Sequence, residues 1–146
     1  MIFPEGIIVW GNTRFRGKCP LETIEQVSWF NRVRKEYPDT YGAIATHIRN
    51  EGMAEGAQLS SKVKHRAEGL VVGASDIIVP ASVPLVIEMK RQNHSLSTLS
   101  DEQARYLRAA TAMGAYACVC LGAVAAWEAF EWWRAQYPLD GDRFRI

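Results

Sequence analysis

Cysteine is scarce: Cys19, Cys118 and Cys120 are the only three in 146 residues. So few, and an odd number, exclude a disulfide framework, and no Cys/His spacing matches a zinc site. A reducing, cytoplasmic home is the expectation. Charge of one sign is not in excess either. With 17 Lys and Arg against 16 Asp and Glu the formal charge is +1, so any nucleic-acid contact must come from a local basic patch rather than bulk charge. Internal repeats, low-complexity tracts and Gly/Ser/Pro-rich linkers are missing, which leaves one domain over residues 1–146 as the expectation. The opening residues 1–5 carry neither a basic nor a long apolar stretch, so no secretory signal is expected. The longest uncharged run, 19 residues from Ala109 to Trp127, approaches the ~20 that span a bilayer. Gly114 and Gly122 divide it into a helix end, a short strand and a helix start, so no membrane span is expected.

What is present is the balance of a folded domain, 48% apolar and 23% charged residues. Hydrophobic spacing predicts an amphipathic helix over 21–37. Ile24, Val27, Phe30 or Asn31, Val33 and Tyr37 form its apolar face, with Pro20 as first helical residue and Pro38 beyond the end. Residues 7–10 and 43–48 read as short strands, and 54–68 as a second helix closed by Gly69. Its cluster Lys62, Lys64, His65 and Arg66 reads first as a solvated face. The β-branched runs 76–79 and 85–87 flank a loop whose Pro80 and Pro84 stop both strands, which makes a hairpin. Ser100 to Gln103 is a capping box opening a helix to about Met113. A strand over 115–121 follows, then a helix over 123–136 with the core stripe Trp127, Phe130, Trp133 and Tyr137. Trp132 falls off that stripe and hints at self-association. His47, His65 and His94 read as surface or loop residues. The order of elements is that of an α/β layout with a mixed sheet.

One constellation carries chemistry. A hairpin turn symmetric about Ser82 sets Ile78 against Val86 and Asp76 against Glu88. Directly opposed carboxylates repel, so a cation between them is expected. Period-two alternation places Lys90 on the same face as Glu88. Both strands are otherwise apolar, so the three charges lie at the end of a buried sheet, where they must be paired or hold an ion. Paired carboxylates suit Mg²⁺ or Mn²⁺. A salt bridge at a strand end is the alternative.

Gly73–Asp76, the hairpin, Ile87–Lys90 and Leu99–Gln103 together resemble the PD-(D/E)xK signature. Specifically, they resemble the VRR-NUC family of phage and bacterial stand-alone nucleases and eukaryotic repair nucleases. Residues 22–30 resemble the family's opening helix, 48–52 its asparagine/glycine loop, and 114–118 the strand after the glutamine helix, so the likeness covers about 21–133. The proline that usually precedes the first aspartate is Ser75 here.

The resemblance implies a restriction-endonuclease-like core, a central mixed β-sheet flanked by helices, and a metal-dependent endonuclease acting on DNA, including branched or flapped forms. Asp76 and Glu88 would hold Mg²⁺ or Mn²⁺. Lys90 would orient or activate water and offset charge. Gln103 would lie beside the site, although its capping box already explains it. An acid from the first helix, Glu22 with Glu25 in reserve, would complete the metal set. Arg49, Asn50, Lys62, Lys64 and Arg66 are the candidate phosphate contacts, and Gly73 supplies a positive φ or a close approach to nucleic acid. A homodimer could cut two strands. The competing readings are a catalytically silent DNA-binding or assembly module and a phosphodiesterase for a small nucleotide.

Overall fold

Every residue of one six-residue strand, Leu85–Lys90, is buried, including Glu88 and Lys90. In the computed structural model, which describes residues 1–48 and 59–139, that strand is β3 of a single sheet. The others are β1 (Ile8–Trp10), β2 (Ile77–Val79) and β4 (Tyr116–Leu121), in the order β1-β4-β3-β2. β1 and β3 run parallel to β4, and β2 runs antiparallel to β3, so the sheet is mixed as expected. The hairpin pairs Ile77 with Ile87, Ile78 with Val86 and Val79 with Leu85, the register of a turn symmetric about Ser82. Helices α1 (Glu22–Glu36), α2 (Tyr41–Ile44), α3 (Leu59–Ala67), α4 (Asp101–Ala112) and α5 (Ala123–Gln136) surround it. Among the described residues no helix is long and apolar enough to cross a membrane. The uncharged run is broken at Gly114 and Gly122, as expected.

Alternation along β3 separates two environments. Leu85, Ile87 and Met89 join Ile77, Val79, Cys118 and Cys120 in a core with the aromatic residues of α1, α2 and α5. There Phe130 meets Trp29 edge-on at 5.7 Å between ring centroids and Tyr41 at 5.3 Å, arrangements that add roughly 0.5–1.5 kcal/mol each beyond burial. Val86 faces the other way and packs with Leu107 of α4 and with Val119 and Leu121. Glu88 and Lys90 share the parity of Val86 and so project toward α4.

Several elements differ from expectation. α1 buries Glu25, Trp29, Phe30 and Val33, whereas Ile24 and Val27 are exposed. Covering the Trp29 indole removes more apolar area from water than covering Ile24 or Val27, so the helix is rotated toward it. Glu25, one turn earlier, is carried inward. Pro20 lies outside the helix, ahead of the N-cap Leu21, where its carbonyl accepts from Arg91 Nε at 3.2 Å. Residues 43–48 are not a strand. Tyr41, buried against Phe130 and Trp133, nucleates a helical turn, and Thr46 alone bridges to Ile78. His94 is buried rather than on the surface, with Nε2 2.8 Å from the Thr13 carbonyl. Tyr137 leaves the α5 stripe for solvent, and Trp132 lies on Tyr116 at 4.8 Å between centroids. Residues 54–58 of the expected second helix lie outside the described residues.

Candidate active site

One register step beyond the Ile77–Ile87 pair puts Asp76 across from Glu88, both on the face that α4 covers. Asp76 Oδ2 accepts from the Met89 amide at 2.9 Å, which ties the aspartate to the neighbouring strand. Glu88 Oε1 accepts from Lys90 Nζ at 3.2 Å and from Gln103 Nε2 at 2.9 Å. Gln103 Oε1 in turn accepts from Lys90 Nζ at 3.2 Å and from the Ser100 amide at 3.0 Å. A single glutamine therefore closes the capping box of α4 and a triangle with the acid and the lysine. Its capping and site roles coexist. Gly73 has φ +82, and a Cβ there would fall 2.4 Å from the Glu102 carbonyl carbon and 2.7 Å from the Gln103 amide nitrogen. The close approach it permits within the chain is to the first turn of α4, which seats Gln103 over the hairpin.

Burial, followed by the charge of Asp76, pushes Glu88 up to about 8 against the opposing pull of Lys90. Asp76 is also raised, chiefly by burial and with a contribution from Glu22, against the Met89 amide, Lys90 and His47. Glu88 Oε2 is buried and has no hydrogen-bond partner among the described residues, a costly state for a carboxylate oxygen unless another ligand takes it. An orphaned oxygen beside a second carboxylate fits a hard divalent ion. Among the described residues no three His, Cys, Asp or Glu side chains are gathered closely enough to enclose a metal. Mg²⁺, which keeps several waters and uses one or two carboxylates, needs no such cage.

The two first-helix acids part company. Glu22 Oε1 accepts from Ser97 Oγ at 2.6 Å, Ser97 Oγ accepts from the Arg91 amide at 3.1 Å, and the charge of Glu22 is felt by both Asp76 and Glu88. Glu25 faces away. Its Oε2 accepts from the Ala123 amide, where Gly122, at φ +91, leaves the space that a Cβ 2.9 Å from that oxygen would fill. Glu25 thus places an anion at the N-terminus of α5.

Lys62, Lys64 and Arg66 lie in α3. Lys64 is exposed and 4.0 Å from Glu68, and Arg66 lines a groove of about 570 Å³ with Arg105 and Tyr106 of α4. Arg49 and Asn50 lie outside the described residues. The sequence does not signal two contacts at the site: His47 places Nδ1 2.7 Å from the Asp76 carbonyl oxygen, and Ser97 Oγ donates to Glu22. Ser75, next to Asp76, buries an Oγ that has no hydrogen-bond partner among the described residues. The Thr46–Ile78 bridge delivers His47 to the site, a distant pairing with no local signature.

No protein-family model and no curated protein matches the sequence. Among solved structures, a chain titled "VRR_NUC domain protein" superposes with a TM-score of 0.62, covering 84% of this chain and 91% of its own at 16% identity. The chain shares the fold of that structure, a mixed sheet flanked by helices, as the sequence reading expects.

Proposed function

We propose that the chain is a divalent-metal-dependent endonuclease that hydrolyses DNA phosphodiester bonds, with branched or flapped DNA as substrate. The observation that carries this reading is the orphaned Glu88 Oε2 in a pair of opposed carboxylates, with Lys90 on the other oxygen. The fold shared with a solved VRR_NUC domain protein supports it.

Asp76 and Glu88 would hold Mg²⁺ or Mn²⁺, with Glu22 bearing on them through its charge. Such an ion, when bound, supplies a Lewis acid for the phosphoryl group and lowers the pKa of water. The rest falls to the chain. Lys90 is buried, so its ammonium acts in a poorly screened environment where it can orient the attacking water and stabilise charge developing on phosphate. Gln103 fixes that ammonium by accepting from it while donating to Glu88. Ser97 does the same for Glu22 by donating to its carboxylate. Lys64, Arg66 and Arg105 would meet phosphates away from the cut.

The test is cleavage of single-stranded, duplex and flapped DNA by the purified protein with Mg²⁺ or Mn²⁺. Asp76→Asn, Glu88→Gln and Lys90→Ala should each abolish cutting in folded protein. Unchanged cutting by Glu88→Gln would overturn the assignment. DNA binding without cutting by the wild type under any divalent ion would favour the silent module.

A further inference from the structure

A second cavity, of about 330 Å³, lies between the outer face of α1 and the segment that leads into the sheet, and its lining includes Gln26, Val27, Asn31, Arg34, Thr46 and His47. Residues 26, 27, 30, 31 and 34 recur along one face of a helix, so α1 presents two amides and a guanidinium along one wall. Among the described residues the side chains of Gln26, Asn31 and Arg34 make no hydrogen bond. Arg34 is held instead by stacking, its guanidinium 5.1 Å from the Phe30 ring centroid. Val27, an apolar residue left 56% exposed, gives the same wall a greasy patch.

His47 joins this cavity to the candidate active site. The Asp76 carbonyl can only accept, so the imidazole donates from Nδ1 over 2.7 Å, and in the neutral ring Nε2 keeps its lone pair. One end of the cavity therefore abuts the residue that would bind the metal.

We propose that this cavity is a subsite for one unpaired nucleotide next to the bond that is cut. The proposal rests on the nuclease reading and deepens it. A space of about 330 Å³ is at the small end of ligand pockets and cannot hold a base pair with its backbone. Amides that both donate and accept match the edge of a nucleobase, a guanidinium matches a phosphate, and Val27 offers contact to the base. A base read this way must first leave its stack, which favours substrates with a single-stranded arm or end at the cut.

The experiment measures binding by fluorescence anisotropy in EDTA, so that hydrolysis plays no part. It compares a short single-stranded DNA with a blunt duplex of the same sequence. The full chain is tested as wild type, as Asn31→Ala/Arg34→Ala, and as Arg14→Ala, which removes one charge from an exposed loop. Thermal melting of each protein checks the fold, and Asn31→Ala alone serves if loss of the Arg34 stack unfolds the double variant. The double variant should raise the single-strand Kd at least fivefold while leaving the duplex Kd within twofold, and Arg14→Ala should move neither beyond twofold. A single-strand Kd that stays within twofold, equal weakening for both DNAs, or no single-strand binding by the wild type overturns the subsite. Hydrolysis of bis(p-nitrophenyl) phosphate with Mn²⁺, a substrate with no nucleotide to place, reads the metal site separately. Specific loss of single-strand binding in a chain that hydrolyses nothing would keep the subsite and sink the nuclease reading.

Discussion

The two faces of β3 are built from one sequence and answer to different demands. Leu85, Ile87 and Met89 enter a face filled by Trp29, Phe130 and Trp133, where burial stabilises the fold. Two of their alternating neighbours, Glu88 and Lys90, enter the α4 side with 1% and 3% exposure, where burial of charge works against stability. A strand that needed only to fold would carry apolar residues on both faces. The contrast teaches that the α4 end of the sheet, where the proposed chemistry would occur, carries a cost in stability that the aromatic face offsets.

That division predicts opposite outcomes for substitutions on the two faces of the sheet. Glu88→Gln should lower DNA cleavage by about 10³-fold or more, while the midpoint of urea unfolding in EDTA above pH 8, where Glu88 is ionised, stays level or rises because a buried charge is gone. Phe130→Ala on the other face should lower stability by about 3–5 kcal/mol, read by the same unfolding curve. If Glu88→Gln unfolds the chain as readily as Phe130→Ala, the faces do not differ as described.

pH sharpens the same contrast. Glu88 is raised from an ordinary 4.5 to about 8, so between those values the folded chain binds a proton that the unfolded chain has released. Its contribution to stability is therefore present below about pH 4.5 and is lost as pH rises through about 8. Asp76, also raised, acts in the same direction. The melting temperature should fall over this window in EDTA. Glu88→Gln should flatten the fall, and so should Mg²⁺, which binds the carboxylate and displaces its proton.

Helix α1 offers the smallest and most local comparison. Glu25→Gln weakens an anion at the α5 N-terminus and should lower stability by about 1 kcal/mol with cleavage retained. Glu22→Gln should leave stability nearly unchanged and weaken the response to metal, measured as the Mg²⁺ concentration for half-maximal cleavage.

How much of this was legible in the residues follows the range of the interactions. The hairpin register was readable because Pro80 and Pro84 stop both strands symmetrically about Ser82, and that register alone brought Asp76 to Glu88. Ser100 and Gln103, three residues apart, announced their capping box, and the same glutamine proved to reach Glu88. The face of α1 was misjudged because spacing weighs Ile24 and Val27 like Trp29, whereas area buried does not. The duty of Glu25 was invisible, since its partner is the Ala123 amide at the far end of the chain. His47 reads only as a surface or loop residue for the same reason: its place beside Asp76 depends on one bridge between Thr46 and Ile78. Contacts within a turn or a hairpin can be read from sequence, and contacts made by docking one element on another need the fold.

The central claim is that Asp76 and Glu88 grip one divalent ion, and crystals grown with Mn²⁺ test it most directly through anomalous scattering. A single strong peak is expected roughly 2.1 Å from Glu88 Oε2 and in contact with an Asp76 carboxylate oxygen, lost in Glu88→Gln crystals. Ordered Mn²⁺ elsewhere, with Glu88 Oε2 still unpartnered, would contradict it.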